Sequence, residues 1–159
     1  RSPGLVQSVD AVLKRHGLKG SALELEITES VAMENPERAI DQLQALRDLG
    51  IQLAIDDFGT GYSSLAYLKR LPIQMLKLDR TFVRDIETDP SDAEISAATL
   101  ALAHNLGLKV TAEGVETEAQ RAYLIQHQCD FMQGYLFSKP LPAGEVLRFI
   151  RECRSASVA

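Results

Sequence analysis

The stretch Leu23-Glu24-Leu25-Glu26-Ile27-Thr28 alternates apolar and charged or polar side chains. Successive side chains of a β-strand point to opposite faces of the sheet, so Leu23, Leu25 and Ile27 share one face. Glu24 and Glu26 share the other face. The pattern predicts a strand over residues 23–28 whose apolar face packs under helices and whose second face carries acidic groups.

The same alternation recurs in later segments of the chain, at residues 52–56, 75–79 and 109–113. In each segment the apolar residues share one face, and the ionisable residues of the other face stand near the carboxyl end. These ionisable residues are Asp56, Lys77, Asp79 and Glu113. A fifth, shorter strand is predicted at residues 131–134. In a TIM-type barrel, catalytic groups ring the carboxyl ends of parallel strands, and this placement fits that geometry.

Predicted helices separate the strands, at residues 5–16, 36–49, 95–106 and 144–153, with a short helix that ends near Pro72. Asn35 and Pro36 are typical of a helix start, and Thr117 to Gln120 has the pattern of a capping box. Strands that alternate with helices favour an α/β fold with a parallel sheet. No linker or low-complexity tract divides the chain, so residues 1–159 are predicted to form a single domain.

The composition excludes several classes of protein. With 45% hydrophobic and 25% charged residues the chain has an ordinary globular composition, and its formal net charge of -5 argues against a basic surface for a nucleic-acid polymer. No apolar run approaches the roughly 20 residues of a membrane-spanning helix. Cys129 and Cys153 form no CxxC motif and indicate neither a zinc site nor a disulfide framework. A cytoplasmic location is the expectation, including the cytoplasmic part of a membrane-anchored parent protein.

The acidic residues at the strand ends can be interpreted in two ways. A single carboxylate in such a place often caps a helix or enters a solvated loop. Six of them at one barrel mouth would repel each other unless cations neutralise them; they are Glu26, Asp56, Asp57, Asp79, Glu113 and Glu116. Hard oxygen ligands favour magnesium or manganese over zinc. The three histidines, His16, His104 and His127, fall on predicted helices or their ends and are expected to be structural or surface residues.

One lysine, Lys77, stands among these carboxylates, and two reaction classes fit the combination. One is phosphodiester hydrolysis assisted by two metal ions. The other is an enolase-like proton abstraction with a lysine base. The alternation of side chains along the strands does not separate them.

Five motifs in order resemble the EAL domain family of cyclic-di-GMP-specific phosphodiesterases. They are Glu26-Ile27-Thr28-Glu29-Ser30, Asp56-Asp57-Phe58-Gly59-Thr60-Gly61-Tyr62-Ser63-Ser64-Leu65, Lys77-Leu78-Asp79-Arg80, Ala112-Glu113-Gly114-Val115-Glu116 and Gln133-Gly134-Tyr135-Leu136-Phe137. The second motif is highly specific, and the match runs nearly end to end. The resemblance implies a TIM-type (β/α)₈ barrel that hydrolyses cyclic-di-GMP to linear pGpG with Mg²⁺ or Mn²⁺ at a two-metal site.

The resemblance also implies a role for each matching residue. Glu26 resembles a ligand of the first metal, Asp56 the carboxylate that bridges both metals, and Asp57 a ligand of the second. Glu113 resembles an acidic residue near the second metal that is either a ligand or the general base. Lys77 resembles the lysine that positions the nucleophilic water.

Four further residues resemble supporting parts of the family's site. Asp79 and Glu116 are implied to orient the lysine and the substrate, and Gln133 is implied to contact the substrate. Glu29 resembles the residue that anchors the loop at 58–64, which holds the paired aspartates and takes part in dimer contacts. We therefore expect Glu29→Ala to weaken metal binding without unfolding the domain.

The chain is expected to hold only part of such a barrel. A (β/α)₈ barrel takes about 250 residues and eight strands, whereas five strands are predicted here. The Glu-Ala-Leu tripeptide that names the family is absent, and that tripeptide and an asparagine ligand are expected upstream of Arg1. Because the sequence does not begin with Met, an excised or processed fragment, the C-terminal portion of the domain with about five βα units, is the expectation.

The missing ligands and strands have two expected consequences. The metal site is incomplete, so this chain is predicted to be weakly active or inactive although its parent is an enzyme. An open sheet edge favours a homodimer or a swapped oligomer. An upstream sensory or GGDEF-type domain is expected in the parent. A non-enzymatic module that binds cyclic-di-GMP, or serves regulation or dimerisation, is the alternative function.

Overall fold

The computed structural model describes residues 4–59 and 65–156 and confirms an α/β fold built on one parallel sheet. The sheet has five strands in the order β1-β2-β3-β4-β5, which is also their order along the chain. They are β1 (Glu24–Thr28), β2 (Gln52–Phe58), β3 (Met75–Leu78), β4 (Lys109–Glu113) and β5 (Phe131–Gln133). Each strand pairs with the next in parallel, as in a segment of a barrel.

The helices connect the strands and follow the last one. They are α1 (Leu5–His16), α2 (Glu29–Glu34), α3 (Pro36–Asp48), α4 (Leu65–Leu68), α5 (Arg80–Arg84), α6 (Pro90–Asn105), α7 (Glu118–Gln126) and α8 (Ala143–Ala156), with a 3₁₀ turn at Gly20–Ala22. The short helices α2 and α5 directly follow strands and were not predicted from the sequence. Helix α6 begins earlier than the predicted start at residue 95, because Asp89 caps it by accepting a hydrogen bond from Ser91 N at 2.8 Å.

Two predicted helix starts are confirmed by their hydrogen bonds. The Asn35 side chain accepts from Arg38 N at 3.3 Å, and Pro36 follows in the first turn of α3. Thr117 and Gln120 form the capping box of α7, in which each side chain accepts a hydrogen bond from the backbone N–H of the other residue. The chain therefore enters α3 and α7 at the positions that the sequence pattern indicated.

The apolar faces of the strands form the core under the helices. Leu53, Leu76 and Val110 are fully buried, and Leu43 and Leu46 of α3 pack into the same cluster. Complete burial of one such side chain contributes about 1.5–3 kcal/mol. The packing fixes which face of each strand is turned away from the helices, and so it places the charged residues on the opposite face.

Strands β1 and β5 each have one edge that no described strand covers. Beside β1 lies a cavity of about 640 Å³ whose apolar lining includes Leu25, Ile27, Leu43 and Leu46. The architecture is thus a partial barrel, as the count of strands in the sequence predicted. Within the described part of the chain, no helix combines the length and the apolar character that a membrane crossing requires.

Asp130, just before β5, links that strand to β4 and α6. Its Oδ2 accepts a hydrogen bond from Val110 N at 2.9 Å and lies 2.9 Å from His104 Nε2. Burial alone would raise the pKa of Asp130, but the hydrogen bonds from His104 and Val110 and the charges of His104 and Lys109 lower it below the ordinary range. The carboxylate is therefore a structural group of the folded state.

Asp130→Asn is expected to reduce the free energy of unfolding at pH 7 by about 1 kcal/mol. The pKa of Asp130 is lower in the folded than in the unfolded protein. The stability that its carboxylate contributes is therefore fully present above the unfolded pKa of about 3.9, and it is lost as the pH falls through the folded pKa. Urea unfolding at pH 7 and pH 3 should show a gap between variant and wild type that closes in acid. Asp41→Asn, at an exposed position on α3, is the control, and a gap that widens in acid would contradict the prediction.

Candidate active site

One ammonium group and three carboxylates converge at the carboxyl ends of the strands. Lys77 Nζ lies 2.6 Å from Glu113 Oε1, 2.8 Å from Glu26 Oε1 and 3.5 Å from Asp56 Oδ1. The four residues come from β3, β4, β1 and β2 respectively. The charged faces predicted from side-chain alternation therefore do meet, at one place on the sheet.

Lys77 is held rigidly at the centre of this cluster. Its side chain is only 9% exposed, and its neighbours Leu76 and Leu78 are fully buried on the opposite face of β3. Burial alone would lower the pKa of Lys77, but hydrogen bonds to Glu113 and Glu26 and the charges of Glu113 and Asp56 outweigh burial and raise the pKa above the ordinary range. In this arrangement the side chain is a cation and a hydrogen-bond donor at physiological pH.

The two consecutive aspartates lie on an irregular part of β2. Ile55 pairs with Leu76 and Phe58 pairs with Leu78, so β2 has one residue more than β3 over this stretch. Asp57 has φ 55°, in the left-handed region, and its N–H donates to Asp56 Oδ1 at 3.0 Å. A regular strand would direct Asp56 and Asp57 to opposite faces. The bulge breaks this alternation, a device found beside active sites.

Glu29 lies at the start of α2 and reaches the end of β2. It is 1% exposed, and its Oε2 accepts a hydrogen bond from Gly59 N at 2.9 Å. Its Oε1 is buried without a hydrogen-bond partner among the described residues. The remainder of the predicted loop, Thr60 to Ser64, lies outside the described residues. The bond to Gly59 supports the predicted role of Glu29 as a loop anchor, which stays a prediction.

Glu29→Ala is expected to weaken Mn²⁺ binding by about tenfold while the domain stays folded, because groups that orient a metal ligand typically change affinity by about 10–100-fold. The Gly59 N–H would lose its acceptor next to Asp57. Calorimetric Mn²⁺ titration of the protein encoded by the full gene measures the affinity, and circular dichroism reports the fold. Glu24→Ala, at an exposed position on β1, is the matched control. An affinity equal to that of the control would rule out the anchor role.

The other predicted site residues are less closely tied to Lys77. The Asp79 carboxylate caps α5, where its Oδ1 accepts from Thr81 N at 2.8 Å and from Thr81 Oγ1 at 2.5 Å. Glu116 is exposed in the loop after β4, and Gln133 stands opposite Glu113 in the β4–β5 register. Asp79 therefore acts as a helix cap, one of the two interpretations given for a carboxylate at a strand end. The proposed roles of Asp79, Glu116 and Gln133 toward the substrate stay predictions.

The structure adds contacts for one residue, Gln120, that the sequence indicated only as part of a helix cap. Gln120 is 4% exposed, and its side-chain amide binds backbone groups of two segments, the loop after β4 and the end of α5. A glutamine at this position of a capping box is common. Its burial against α5 depends on how α5 and α7 pack, so the sequence carries no signal for it.

Two of the three histidines have structural partners, as predicted. His104 pairs with Asp130, and the His127 ring stacks on Tyr123 with a centroid separation of 4.2 Å. His16 is exposed in the last turn of α1. All three stand at the carboxyl ends of helices, whereas the Lys77 cluster stands at the carboxyl ends of strands.

The donor set of the cluster suits a hard divalent cation. Glu26, Asp56, Asp57 and Glu113 offer carboxylate oxygens, the ligands that magnesium and manganese prefer. In the observed arrangement the Lys77 ammonium contacts three of these groups and offsets one of their three negative charges. Among residues 4–59 and 65–156, no three Asp, Glu, His or Cys side chains are already grouped as a cage for a metal. These four carboxylates are the residues that would hold a divalent ion, and their role as metal ligands stays a prediction.

Comparison with known proteins finds close relatives. The chain is 51% identical over 150 residues to the cyclic di-GMP phosphodiesterase NbdA of Pseudomonas aeruginosa, covering 94% of this chain and 19% of NbdA. It is 49% identical over 144 residues to MucR of the same organism, described as a bifunctional diguanylate cyclase and cyclic di-GMP phosphodiesterase, covering 91% of this chain and 21% of MucR.

Solved structures show the same fold. The MucR phosphodiesterase in complex with c-di-GMP superimposes with a TM-score of 0.88 at 49% identity, covering 90% of this chain and 58% of that chain. Klebsiella pneumoniae BlrP1, in a complex with manganese and cyclic-di-GMP, gives a TM-score of 0.80 at 36% identity, covering 88% of this chain and 36% of that chain. The chain thus spans about a fifth of the curated relatives and little more than half of the solved MucR chain. The sequence model of the EAL domain matches residues 1–140, and the chain belongs to the EAL domain family.

Proposed function

We propose that the protein containing this chain is a metal-dependent phosphodiesterase that hydrolyses cyclic-di-GMP to linear pGpG. The observation that carries the proposal is the Lys77 ammonium within 2.8 Å of the Glu26 and Glu113 carboxylates and 3.5 Å from Asp56. Two relatives, NbdA and MucR, are described as cyclic di-GMP phosphodiesterases, and the MucR phosphodiesterase was solved with c-di-GMP. Their similarity in sequence and fold supports the same substrate here.

In this reaction one water adds to one phosphorus atom and one P–O3′ bond breaks. The water loses a proton to a base, and the ribose oxygen that leaves gains one. Lys77 would orient the water through its N–H donors and offset the negative charge that develops on the phosphate oxygens. Glu113 would act as the base that takes the proton or as a ligand of the metal.

The carboxylates Glu26, Asp56, Asp57 and Glu113 would hold the divalent ions, for which we propose Mg²⁺ or Mn²⁺. When bound, these ions supply Lewis acidity toward the phosphodiester and the water. The complex of BlrP1 with manganese and cyclic-di-GMP supports Mn²⁺ as one suitable metal. Asp79 and Glu116 would orient Lys77 and the substrate, and the neutral amide of Gln133 would contact the substrate without adding negative charge.

The enolase-like alternative is disfavoured by the relatives of the chain, because NbdA and MucR are both described as cyclic di-GMP phosphodiesterases. The contacts of Lys77 Nζ with Glu113 and Glu26 place its ammonium as a hydrogen-bond donor, which fits the hydrolytic role.

We further propose that residues 1–159 form a single, incomplete EAL domain in a cytoplasmic protein with an upstream sensory or GGDEF-type domain. The relatives are about five times longer than this chain, which supports additional domains. The open edge of β1 and the apolar cavity beside it support a homodimer or a swapped oligomer. Sedimentation of the purified chain over a range of concentrations tests the oligomer, and a strict monomer would contradict it.

The function is tested by incubating the protein encoded by the full gene, and this chain alone, with cyclic-di-GMP and Mn²⁺ or Mg²⁺. Formation of pGpG is followed by chromatography and mass spectrometry, with a chelator control. We expect chelator-sensitive pGpG from the full protein and weak or no turnover by this chain. A full protein that releases no pGpG with either metal would overturn the proposal.

A second candidate is a non-enzymatic module that binds cyclic-di-GMP or serves regulation and dimerisation. It is favoured by one observation, that the Lys77 ammonium takes the central place among the carboxylates, 2.6 Å from Glu113 and 2.8 Å from Glu26. Calorimetry with cyclic-di-GMP discriminates the two. Tight binding without turnover would support the module.

A further inference from the structure

The buried side chain of Gln120 joins two segments at the carboxyl edge of the sheet. Its Oε1 accepts hydrogen bonds from Glu116 N at 2.7 Å and Thr117 N at 3.0 Å. Its Nε2 donates to the carbonyl of Arg84, the last residue of α5, at 3.1 Å. The amide therefore links the loop that follows β4 to the helix that follows β3.

The same loop, residues 114–117, is held from the other side by backbone bonds to β5 and the residues after it. Val115 N donates to Gln133 O at 3.0 Å, and Leu136 N donates to Val115 O at 3.0 Å. Against α5, Gly114 packs so closely that a Cβ would lie 2.6 Å from the Arg80 side chain. The loop thus sits between α5 and β5. The backbone bonds hold it to β5 and the residues after it, and the bonds of Gln120 hold it to α5.

A second hydrogen bond joins the loop to the residues that follow α5: the Thr117 hydroxyl donates to Glu87 Oε1 at 2.5 Å. Glu87 follows α5, so this bond joins the same two βα units at the exposed surface. Gln120, in contrast, is buried, and a lost hydrogen bond there leaves backbone groups that water does not readily reach. The buried link is the one expected to fix the position of the loop.

We propose that Gln120 is a positioning residue for the proposed hydrolysis, holding loop 114–117 against α5 and thereby setting the Glu113 carboxylate against the Lys77 ammonium. Lys77 and α5 belong to one βα unit, and Glu113 and the loop belong to the next. The 2.6 Å contact between Lys77 Nζ and Glu113 Oε1 spans these units. A misplacement of about 1 Å in a reacting constellation can lower a rate about 10²-fold.

A helix cap alone does not explain these bonds. The capping box needs the glutamine to reach only the N–H of the cap residue, Thr117. Gln120 also binds Glu116 N and, through its amide nitrogen, Arg84 O. The bond from Gln120 Nε2 to Arg84 O caps neither end of α7. It connects α7 and its preceding loop to the unit that carries Lys77.

The proposal rests on the proposed function, and three variants test it in the protein encoded by the full gene. Gln120→Met preserves the side-chain length and removes every hydrogen bond. Gln120→Glu keeps an acceptor for Glu116 N and Thr117 N and removes the donor to Arg84 O. Gln126→Met, at an exposed position on the same helix, is the control. The measurements are kcat and KM for cyclic-di-GMP with Mn²⁺, and amide hydrogen exchange by NMR.

Both Gln120 variants are expected to lower kcat by about 10–100-fold and to change KM by less than about threefold, because a misplaced group acts on the transition state more than on substrate binding. Gln120→Met should also speed exchange of the Glu116 and Thr117 amides, and the control should match wild type. A Gln120→Glu variant with the kcat of wild type would overturn the proposal, since the link to α5 would then be dispensable. If Gln120→Met fails to fold, Gln120→Glu decides alone.

A readout without turnover separates this proposal from the proposed function. The ¹³C resonance of the Glu113 carboxyl reports its contact with the Lys77 ammonium. It is expected to shift in Gln120→Glu and to stay at the wild-type value in Gln126→Met. If the wild-type protein releases no pGpG, the proposed function fails, and this resonance still decides the role of Gln120. An unchanged resonance in Gln120→Glu would overturn the positioning role.

Discussion

In the protein encoded by the full gene, Lys77→Met is expected to lower the rate of the proposed cyclic-di-GMP hydrolysis by about 10²–10⁴-fold, the range observed when a group that assists proton transfer or offsets transition-state charge is removed. The ammonium lies between carboxylates contributed by three other strands, at 2.6 Å from Glu113, 2.8 Å from Glu26 and 3.5 Å from Asp56. Methionine has nearly the same length but neither charge nor donors. The water would lose its positioning donor and the phosphate its compensating cation.

The same change should destabilise the fold in a pH-dependent manner. Removing one partner of a fully buried ion pair costs about 3–5 kcal/mol. Here the carboxylates are partly solvated, with exposed fractions from 22% for Glu113 to 42% for Glu26, so we expect about 2 kcal/mol at pH 7. The pKa of Lys77 is higher in the folded than in the unfolded protein. The stability that its charge contributes is therefore fully present below the ordinary lysine pKa of about 10.4 and is lost only as the pH rises above it.

In the variant the three carboxylates repel each other without a cation, which adds to the loss of stability. Urea unfolding of Lys77→Met and wild type at pH 7 measures the difference. Lys69→Met, at an exposed position after α4, is the matched control and should equal wild type in rate and stability. A Lys77→Met protein with a rate within threefold of wild type would remove Lys77 from the mechanism.

Lys77→Arg separates charge from geometry. The guanidinium keeps the positive charge but is larger, planar and fixed in its donor directions. The Lys77 side chain is 9% exposed, and a larger head group would have to displace the Glu113 and Glu26 carboxylates, which lie 2.6 and 2.8 Å from the ammonium nitrogen. We expect the arginine variant to recover part of the stability and little of the rate. Equal recovery of both would show that charge alone matters at this position.

The convergence of charged residues was predictable because it depends on local rules. Side-chain alternation along a strand and the common direction of parallel strands suffice to bring Glu26, Asp56, Lys77 and Glu113 to one edge of the sheet. The caps at Asn35 and Thr117 followed from equally local patterns. These features need no knowledge of how distant segments pack.

Features that depend on packing between distant segments could not be predicted from the sequence. Helix α5 has five residues, and its cap, Asp79, was assigned to the end of a strand and to the acidic cluster. At the bulge, Asp57 adopts the left-handed backbone conformation. Nothing in the sequence distinguishes this aspartate from one in a regular strand. The buried bonds of Gln120 arise only once α5 lies beside α7. In each case a tertiary contact decided between two locally acceptable conformations.

Gly134→Ala is expected to reduce the free energy of unfolding by about 3 kcal/mol, at the upper end of the usual cost of inserting a methyl group into a packed interior. A Cβ at this position would lie 2.0 Å from Val115 O and 2.3 Å from Val115 N. Both are backbone atoms, which cannot turn away as the end of a flexible side chain could. One of the two segments would have to move.

Neither segment moves freely, because hydrogen bonds hold both sides of the contact. Val115 N donates to Gln133 O, and Val115 O accepts from Leu136 N, each at 3.0 Å. Val115 itself is fully buried. Relief of the clash therefore requires breaking bonds that flank Gly134 and displacing the loop that follows Glu113. The hydrolysis rate should fall along with the stability, since that loop leads out of the Lys77 cluster.

Gly144→Ala is the matched control, with the same chemical change inside α8, where a Cβ would meet nothing within 4 Å. Gly144 is the second residue of α8, so an alanine there should raise the free energy of unfolding by less than the roughly 0.5–1 kcal/mol of a helix interior, because glycine loses more backbone entropy in a helix. Urea unfolding of both variants measures the two values, and the opposite signs exclude a generic effect of glycine replacement. If Gly134→Ala proved as stable as wild type, the close contact between Gly134 and Val115 would be wrong, and with it the fixed position of loop 114–117.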